Sequence, residues 1–158
     1  MNTRIMNKKR CGFSLIELVI VVVIIGIIGA IAIPRLSRGA EGASDSALAG
    51  DLAVMRNAID LYATEHGGDY PTVAKFVEQL TTYTDANGVD NAAKTSTYIY
   101  GPYIRKIPSL KVGDNTGNGT VAAADGLGVG WVYAETTGTI SANTTTEKDA
   151  SGTLYSDY

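Results

Sequence analysis

Residues 12–34 read GFSLIELVIVVVIIGIIGAIAIP, and the reading of that stretch decides the fold. It opens on a short polar head, Gly12-Phe13-Ser14, and holds one acid, Glu17. From Leu18 to Ile33 it then runs through 16 apolar or small residues without a charge; counted from Phe13 the run has 21 residues. As a helix the longer count spans about 31 Å, enough to cross the hydrocarbon core of a bilayer. A chain of 158 residues has no second core in which to hide such a run. It must sit in lipid or be covered by other subunits.

Behind a short basic leader and ahead of Pro34, the sequence Gly12-Phe13-Ser14-Leu15-Ile16-Glu17 resembles the N-terminus of type IV pilins and of the pseudopilins of type II secretion. The resemblance joins a cleavage site, an acid at fixed spacing and a long apolar helix, and it covers about the first quarter of the chain. It implies cleavage between Gly12 and Phe13 by a prepilin peptidase and N-methylation of Phe13. It also implies that Glu17 pairs with the N-terminal amine of a neighbouring subunit during assembly. At Pro34 it implies a helix that bends and can stretch within a filament.

The residues taken alone leave other readings open. Ser14-Leu15-Ile16-Glu17 is a capping box, with Ser at the N-cap and Glu three residues on, and an acid there also favours the positive end of the helix dipole. A carboxylate in a membrane segment is in turn a functional candidate with a partner to be named. Gly26 and Gly29 weaken a helix in water by about 1 kcal/mol each but permit close helix approach in a membrane. Pro34 removes a backbone donor and either kinks the helix or marks the end of the membrane segment. Ala30-Ile31-Ala32 fits the small-x-small cleavage pattern of a secretory signal peptide. Against that reading, the run is longer than a usual h-region and Glu17 stands at its entrance. A plain, unprocessed membrane anchor is the remaining alternative.

Arg4, Lys8, Lys9 and Arg10 precede the run, and Arg35 and Arg38 follow it. That bias favours the N-terminus in the cytoplasm and the remainder outside. Removal of residues 1–12 takes Lys+Arg from 13 to 9 and the formal charge from −3 to −7. An acidic surface gives no support for nucleic-acid binding, which wants clustered Lys and Arg. The only cysteine, Cys11, lies in the leader, so the mature chain has neither a disulfide nor a thiolate metal site. Cys11 also precedes the apolar run, which excludes a lipoprotein signal.

Residues 35–66 extend the same helix into water. Residues 37–50 are rich in Gly, Ala and Ser, a thin helix. Then Leu48, Leu52, Met55, Ile59 and Tyr62, spaced four, three, four, three, form one apolar stripe. Asp51, Arg56, Asp60 and Glu65 fall off it. His66-Gly67-Gly68 ends the helix. His66, the only histidine, reads as a helix-terminal residue favoured by the dipole rather than a ligand or catalyst. Asp69-Tyr70-Pro71-Thr72 is a turn, with Thr72 capping a short helix through about Tyr83 that presents Val73, Phe76, Val77 and Leu80 on one face. Residues 84–96 read as a loop.

In Tyr98-Ile99-Tyr100-Gly101-Pro102-Tyr103-Ile104-Arg105-Lys106-Ile107-Pro108, a tyrosine-proline turn after the long helix and Gly-Pro-Tyr with following basic residues and Pro are similar to the major pseudopilin. Read physically, the two prolines anchor turns that set aromatic residues against the head core. That family continues into an acidic, calcium-binding C-terminal loop; this chain has Gly113-Asp114-Asn115-Thr116-Gly117-Asn118-Gly119-Thr120 instead. Asp114, Asn118, Gly119 and Asp125 fall at the first, fifth, sixth and twelfth places of an EF-hand-type loop. Thr116 is a poor third ligand, Asp125 replaces the bidentate Glu, and no helix signal brackets the loop, so a solvated Asn/Gly turn is favoured over calcium. Residues 130–143 read as a hairpin carrying Trp131, Tyr133 and Ile140 and turning at Thr137-Gly138. The tail from residue 144 reads as polar and loosely ordered. Two glycosylation sequons, at Asn118 and Asn143, read as chance matches.

No paired nucleophile and base, phosphate-binding glycine loop or motif-placed carboxylate pair occurs, and no cofactor is expected. The expected fold is α+β and pilin-like: leader 1–12, assembly helix 13–34, amphipathic half 35–66 and a head 67–158 built on a small antiparallel sheet. The resemblance implies a structural, non-enzymatic filament subunit held as a single pass in the inner membrane, with its head outside the cytoplasm. Its implied partners are further copies, minor pseudopilins, the prepilin peptidase, an inner-membrane assembly platform with its ATPase, and lipid. An exported soluble binding domain and an anchored, non-polymerising head are the readings from other classes.

Overall fold

A computed structural model describes residues 12–158, without the side chains of residues 33, 34 and 36–38. Helix α1, Leu15–Glu65, has 51 residues and contains Pro34. The leader with Cys11 and any bend at the Pro34 side chain lie outside the described residues. The chain divides between Gly39 and Ala40 into two units.

The first unit is the apolar part of α1. Leu15–Ala32 is long and apolar enough to cross a membrane, and none of it is buried within the chain. Each large apolar side chain there is close to half exposed or more, from Val21 at 47 % to Leu15 at 80 %. A helix apolar on every side has no face to turn to water.

The second unit is an α+β head. Leu48, Leu52, Met55, Ile59 and Tyr62 are all buried, so the predicted stripe is the helical wall of the core. α1 stops at two glycines with positive φ, and the Gly68 N–H donates to the Ala63 carbonyl at 2.8 Å. That is the closing bond of a Schellman ending, which only glycine makes without strain. A 3₁₀ turn, Val73–Lys75, leads into α2, Phe76–Thr81. Strands β1, Tyr83–Thr84, and β2, Asp90–Asn91, pair antiparallel. Strands β3, Thr120–Ala122, β4, Val129–Ala134, and β5, Thr139–Ala142, form a second sheet in that order. The β4–β5 hairpin sets Trp131 opposite Ala142 and Tyr133 opposite Ile140. All four are buried, and with the α1 stripe, Phe76, Leu80 and Leu110 they make one core.

The structure corrects several expectations. The antiparallel pairing expected of the head holds for β1–β2 and β4–β5, and β3 adds one parallel neighbour to β4. Parallel neighbours ordinarily need a long crossover; here β3 has only three residues, so the short run 123–128 carries the chain back. Gly130 marks this crowding: an added Cβ would collide with the Asn118 carbonyl. The short helix stops at Thr81 rather than near Tyr83, and its faces are rotated from the expected set. Val77 is 45 % exposed while Gln79 is buried. Thr72 makes no side-chain cap; the Val73 N–H donates instead to the Glu135 carboxylate at 2.8 Å, so a residue of the hairpin turn fixes how the helix enters. Residues 84–96 include β2 and are not all loop.

The tail is ordered too. Tyr155 is buried and donates to Asp45 at 2.7 Å. Asp149 accepts from the Tyr158 hydroxyl at 2.6 Å and from the Ser151 and Thr153 N–H groups, each at 2.8 Å. Arg56, off the apolar stripe, donates to the carbonyls of Ile140 and Tyr158.

Candidate functional site

The residues singled out for processing stand at the start of α1. Gly12 and Phe13 are exposed and precede the helix. A Cβ added at Gly12 would meet nothing within 4 Å, and the same holds for Gly26 and Gly29. Nothing within the described chain therefore requires glycine at these places. The Ser14 carbonyl accepts from the Leu18 N–H at 3.2 Å, opening the helix. The Ser14 N–H donates to the Glu17 carboxylate at 3.3 Å. That is the return half of a capping box, and it is long for a bond to a carboxylate. Gly12, Phe13 and Glu17 thus share one exposed end of an apolar helix.

The weak calcium candidates Asp114, Asn118 and Asp125 lie between Leu110 and β4. Asp114 is exposed, and its N–H donates to Glu147 at 3.2 Å. The Asn118 carbonyl accepts from the Leu110 N–H at 2.9 Å. Asp125 lies three residues beyond β3. Among the described residues, no group of three His, Cys, Asp or Glu side chains is placed to hold a metal ion.

His66 follows the last residue of α1, at the helix end where the sequence places it. It is buried because it continues the stripe one turn past Tyr62, on whose ring it stacks with centroids 3.9 Å apart. Its Nδ1 lies 2.8 Å from the Tyr62 carbonyl oxygen. Its Nε2 lies 3.0 Å from both the Asp85 carbonyl and the Thr84 hydroxyl. Tyr103 crosses the same cluster and donates to Glu65 at 2.7 Å. Burial, then that bond, raises the Tyr103 phenol well above its ordinary range, so it remains a donor. The Gly101-to-Pro108 segment behaves as its prolines suggest: the Tyr103 and Ile104 N–H groups donate to the Leu80 carbonyl at 2.9 and 3.1 Å, and Tyr103, Ile104 and Ile107 pack on the core.

Glu135, Gln79, Glu147 and Asp149 were not singled out by sequence. Gln79 accepts from the Thr72 N–H at 2.8 Å and donates to the Gly88 carbonyl at 2.9 Å. Glu147 accepts from the N–H groups of Thr145, Thr146 and Asp114. Those bonds stabilise the charged form and pull its pKa from 4.5 down to about 2. Hydrogen bonds from Tyr158 and Ser151 also lower that of Asp149. A depressed folded-state pKa adds stability that is fully present above the unfolded pKa and lost as pH falls through the folded one. The tail is therefore expected to loosen on acidification from about pH 4 toward about pH 2. Near-ultraviolet circular dichroism of Tyr155 and Tyr158 reads this; a signal that is flat down to about pH 1.5 contradicts it.

Residues 7–33 match the family model of the prokaryotic N-terminal methylation motif. The match supports a prepilin-type, type IV pilin-like N-terminus. The motif is that of a prepilin-peptidase substrate in a structural rather than an enzymatic class, and it implies processing and filament assembly in general. With the exposed apolar helix it is consistent with a single-pass, membrane-anchored protein. Comparison with curated proteins and with solved structures gives no match.

Proposed function

We propose that the chain is a structural subunit of a pseudopilus acting in type II protein secretion, cut between Gly12 and Phe13 and methylated on Phe13. The observation that carries the reading is the exposed Leu15–Ala32 helix, entered by a carboxylate and overlapping the methylation motif. Held in lipid before assembly, that helix leaves the bilayer to lie among its neighbours inside a helical filament, with the head outward. Gly12 fits the same reading. Its own chain leaves room for a side chain, so the demand for glycine comes from the peptidase that binds it. The Gly101-to-Pro108 segment favours a secretion pseudopilin over a surface type IV pilin in adhesion, motility or uptake. The chain itself supplies no catalyst, and the inner membrane is its site before assembly, with the head on the far side from the cytoplasm.

The expected result is an intact mass, from native-host membranes, that lacks Met1 to Gly12 and carries one added methyl group. Loss through Ala32 would make the protein an exported soluble domain, and an unprocessed mass a plain anchor; either sinks the proposal.

A further inference from the structure

The head carries a polar pocket that the filament reading does not use. It measures about 390 Å³ and lies between the end of α1, the turn before α2 and the turn of the β4–β5 hairpin. Tyr62 and Gln79 are its buried members, and Asp69, Thr72, Glu135 and Thr136 stand exposed around them. Tyr62 is the residue that points to a ligand. It is only 2 % exposed and its ring stacks on His66, yet its hydroxyl has no hydrogen-bond partner among the described residues. The other buried tyrosines of the described head, Tyr133 and Tyr155, donate to the Pro71 carbonyl and to Asp45. A buried hydroxyl without a partner is destabilising, and phenylalanine would serve the core alone. Burial, then the charges of Asp69 and Asp85, raises the Tyr62 phenol above its ordinary range, so it keeps its proton to donate. Gly88, with φ +74°, leaves that hydroxyl its space, since an added Cβ would collide with it.

The donors and acceptors of the pocket select its ligand. Asp69 and Glu135 only accept when ionised, and among the described residues no Lys, Arg or His lines the pocket, so an anion is repelled. Glu135 spends one oxygen on the Val73 N–H and keeps the other. The Gln79 amide nitrogen gives one hydrogen to the Gly88 carbonyl and has a second to give. A cation only donates, and would leave the Gln79 N–H and the Tyr62 O–H unmatched. A neutral hydroxyl does both, giving its proton to a carboxylate and accepting from the phenol or the amide. Tyr70 adds an aromatic wall for the C–H face of a ring, lying so close on Gly138 that a Cβ there would strike it. Ligand pockets run from about 300 to 1,000 Å³, and this one, at the small end, suits a single ring. We propose that the pocket binds one neutral sugar ring, free or at the end of a glycan, with Tyr62 Oη and Gln79 Nε2 donating to it and Asp69 and Glu135 accepting from it. The site lies wholly within the head and does not depend on filament assembly.

The test uses full-length chain in a zwitterionic detergent without a sugar headgroup. Saturation-transfer NMR is recorded with the methyl glycosides of glucose, galactose, mannose and N-acetylglucosamine, and with the matching disaccharides. The expected result is transfer to at least one glycoside, with a dissociation constant about tenfold weaker in Tyr62→Phe and in Asp69→Asn, the effect of about 1.4 kcal/mol. Tighter binding of the disaccharide identifies the end of a glycan, and equal binding a free sugar. Tyr62→Phe is also expected to melt at or above the wild-type temperature, because the hydroxyl holds nothing within the chain. A clear fall in melting gives that hydroxyl a structural role and overturns the proposal. Equal transfer from wild type and both variants overturns it too, as does transfer to none of the sugars. Binding of methylguanidinium without any glycoside overturns it in favour of a cation site at Asp69 and Glu135.

Discussion

Replacing Trp131 with alanine is expected to destabilise the head by about 4 kcal/mol, the middle of the range for truncating a buried aromatic. Trp131 is the only tryptophan and is completely buried. It joins three parts of the head. On β4 it faces Ala142 of β5 and is paired with Val121 of β3, and its indole N–H donates to the Pro108 carbonyl at 2.8 Å. Alanine removes the ring from the core and leaves that carbonyl without its donor, a further cost of about 1 kcal/mol. Domains are stable by only about 5–15 kcal/mol, so from about a third of the margin to all of it is consumed. The melting temperature of detergent-solubilised full-length chain, followed at a wavelength that reports the head's sheet, is expected to fall by more than about 10 °C. Trp131→Phe keeps most of the volume and loses the hydrogen bond, and should fall between wild type and Trp131→Ala. Equal melting of wild type and Trp131→Ala would mean that this ring does not anchor the head.

The parts of the head that were legible in the sequence are those held by local patterns. The stripe from Leu48 to Tyr62 is visible because five side chains repeat at helical spacing, and all five are buried. The hairpin is visible because Trp131, Tyr133 and Ile140 alternate about a Thr-Gly turn, and they share the core. What escaped depends on residues far apart in the chain. Val77 was expected on the inner face with Val73, Phe76 and Leu80, and it is exposed while Gln79 is buried; the entry to α2 is fixed by Glu135, 62 residues away, and no periodicity over six helical residues encodes that. β3 is three residues long and pairs only through a short return run, below any repeat that a sequence pattern can show. The tail looked polar because its order comes from polar bonds. Asp149-Ala150-Ser151-Gly152 did carry the signature of an Asx turn, but the contacts of Tyr155 with Asp45 and of Arg56 with Tyr158 span 110 and 102 residues. At the candidate site the order of legibility reverses. Gly12, Phe13 and Glu17 stand out in the sequence because they are spaced along one helix start, whereas the structure of a single chain shows them exposed and lightly bonded.

Glu17→Ala is expected to abolish filament assembly while leaving cleavage and methylation intact. Among the described residues the Glu17 carboxylate accepts from the Ser14 N–H at 3.3 Å, a helix-capping contact that contributes about 1 kcal/mol. On the proposed reading, cleavage after Gly12 creates an α-amine on Phe13, at the same exposed end of α1. Among packed apolar helices an amine without a counter-charge is costly, and so is the acid. Supplying each from a neighbouring copy satisfies both at once. Removing one member of a buried pair costs about 3–5 kcal/mol, because the other is left charged and unpaired. At about 1.4 kcal/mol per factor of ten, that is a loss of at least about a hundredfold in assembled subunit. The bond to Ser14 gives a control that separates the two roles of the acid. Glu17→Gln still reaches the Ser14 N–H and caps the helix, yet cannot neutralise an amine. If pairing is the role, Glu17→Gln fails to assemble nearly as completely as Glu17→Ala, and sedimentation of both against wild type, with intact masses showing normal processing, reads this directly. If Glu17→Gln assembles like wild type and only Glu17→Ala is impaired, the acid serves as a cap and the pairing role is wrong. Normal filaments from Glu17→Ala would remove the acid from assembly altogether.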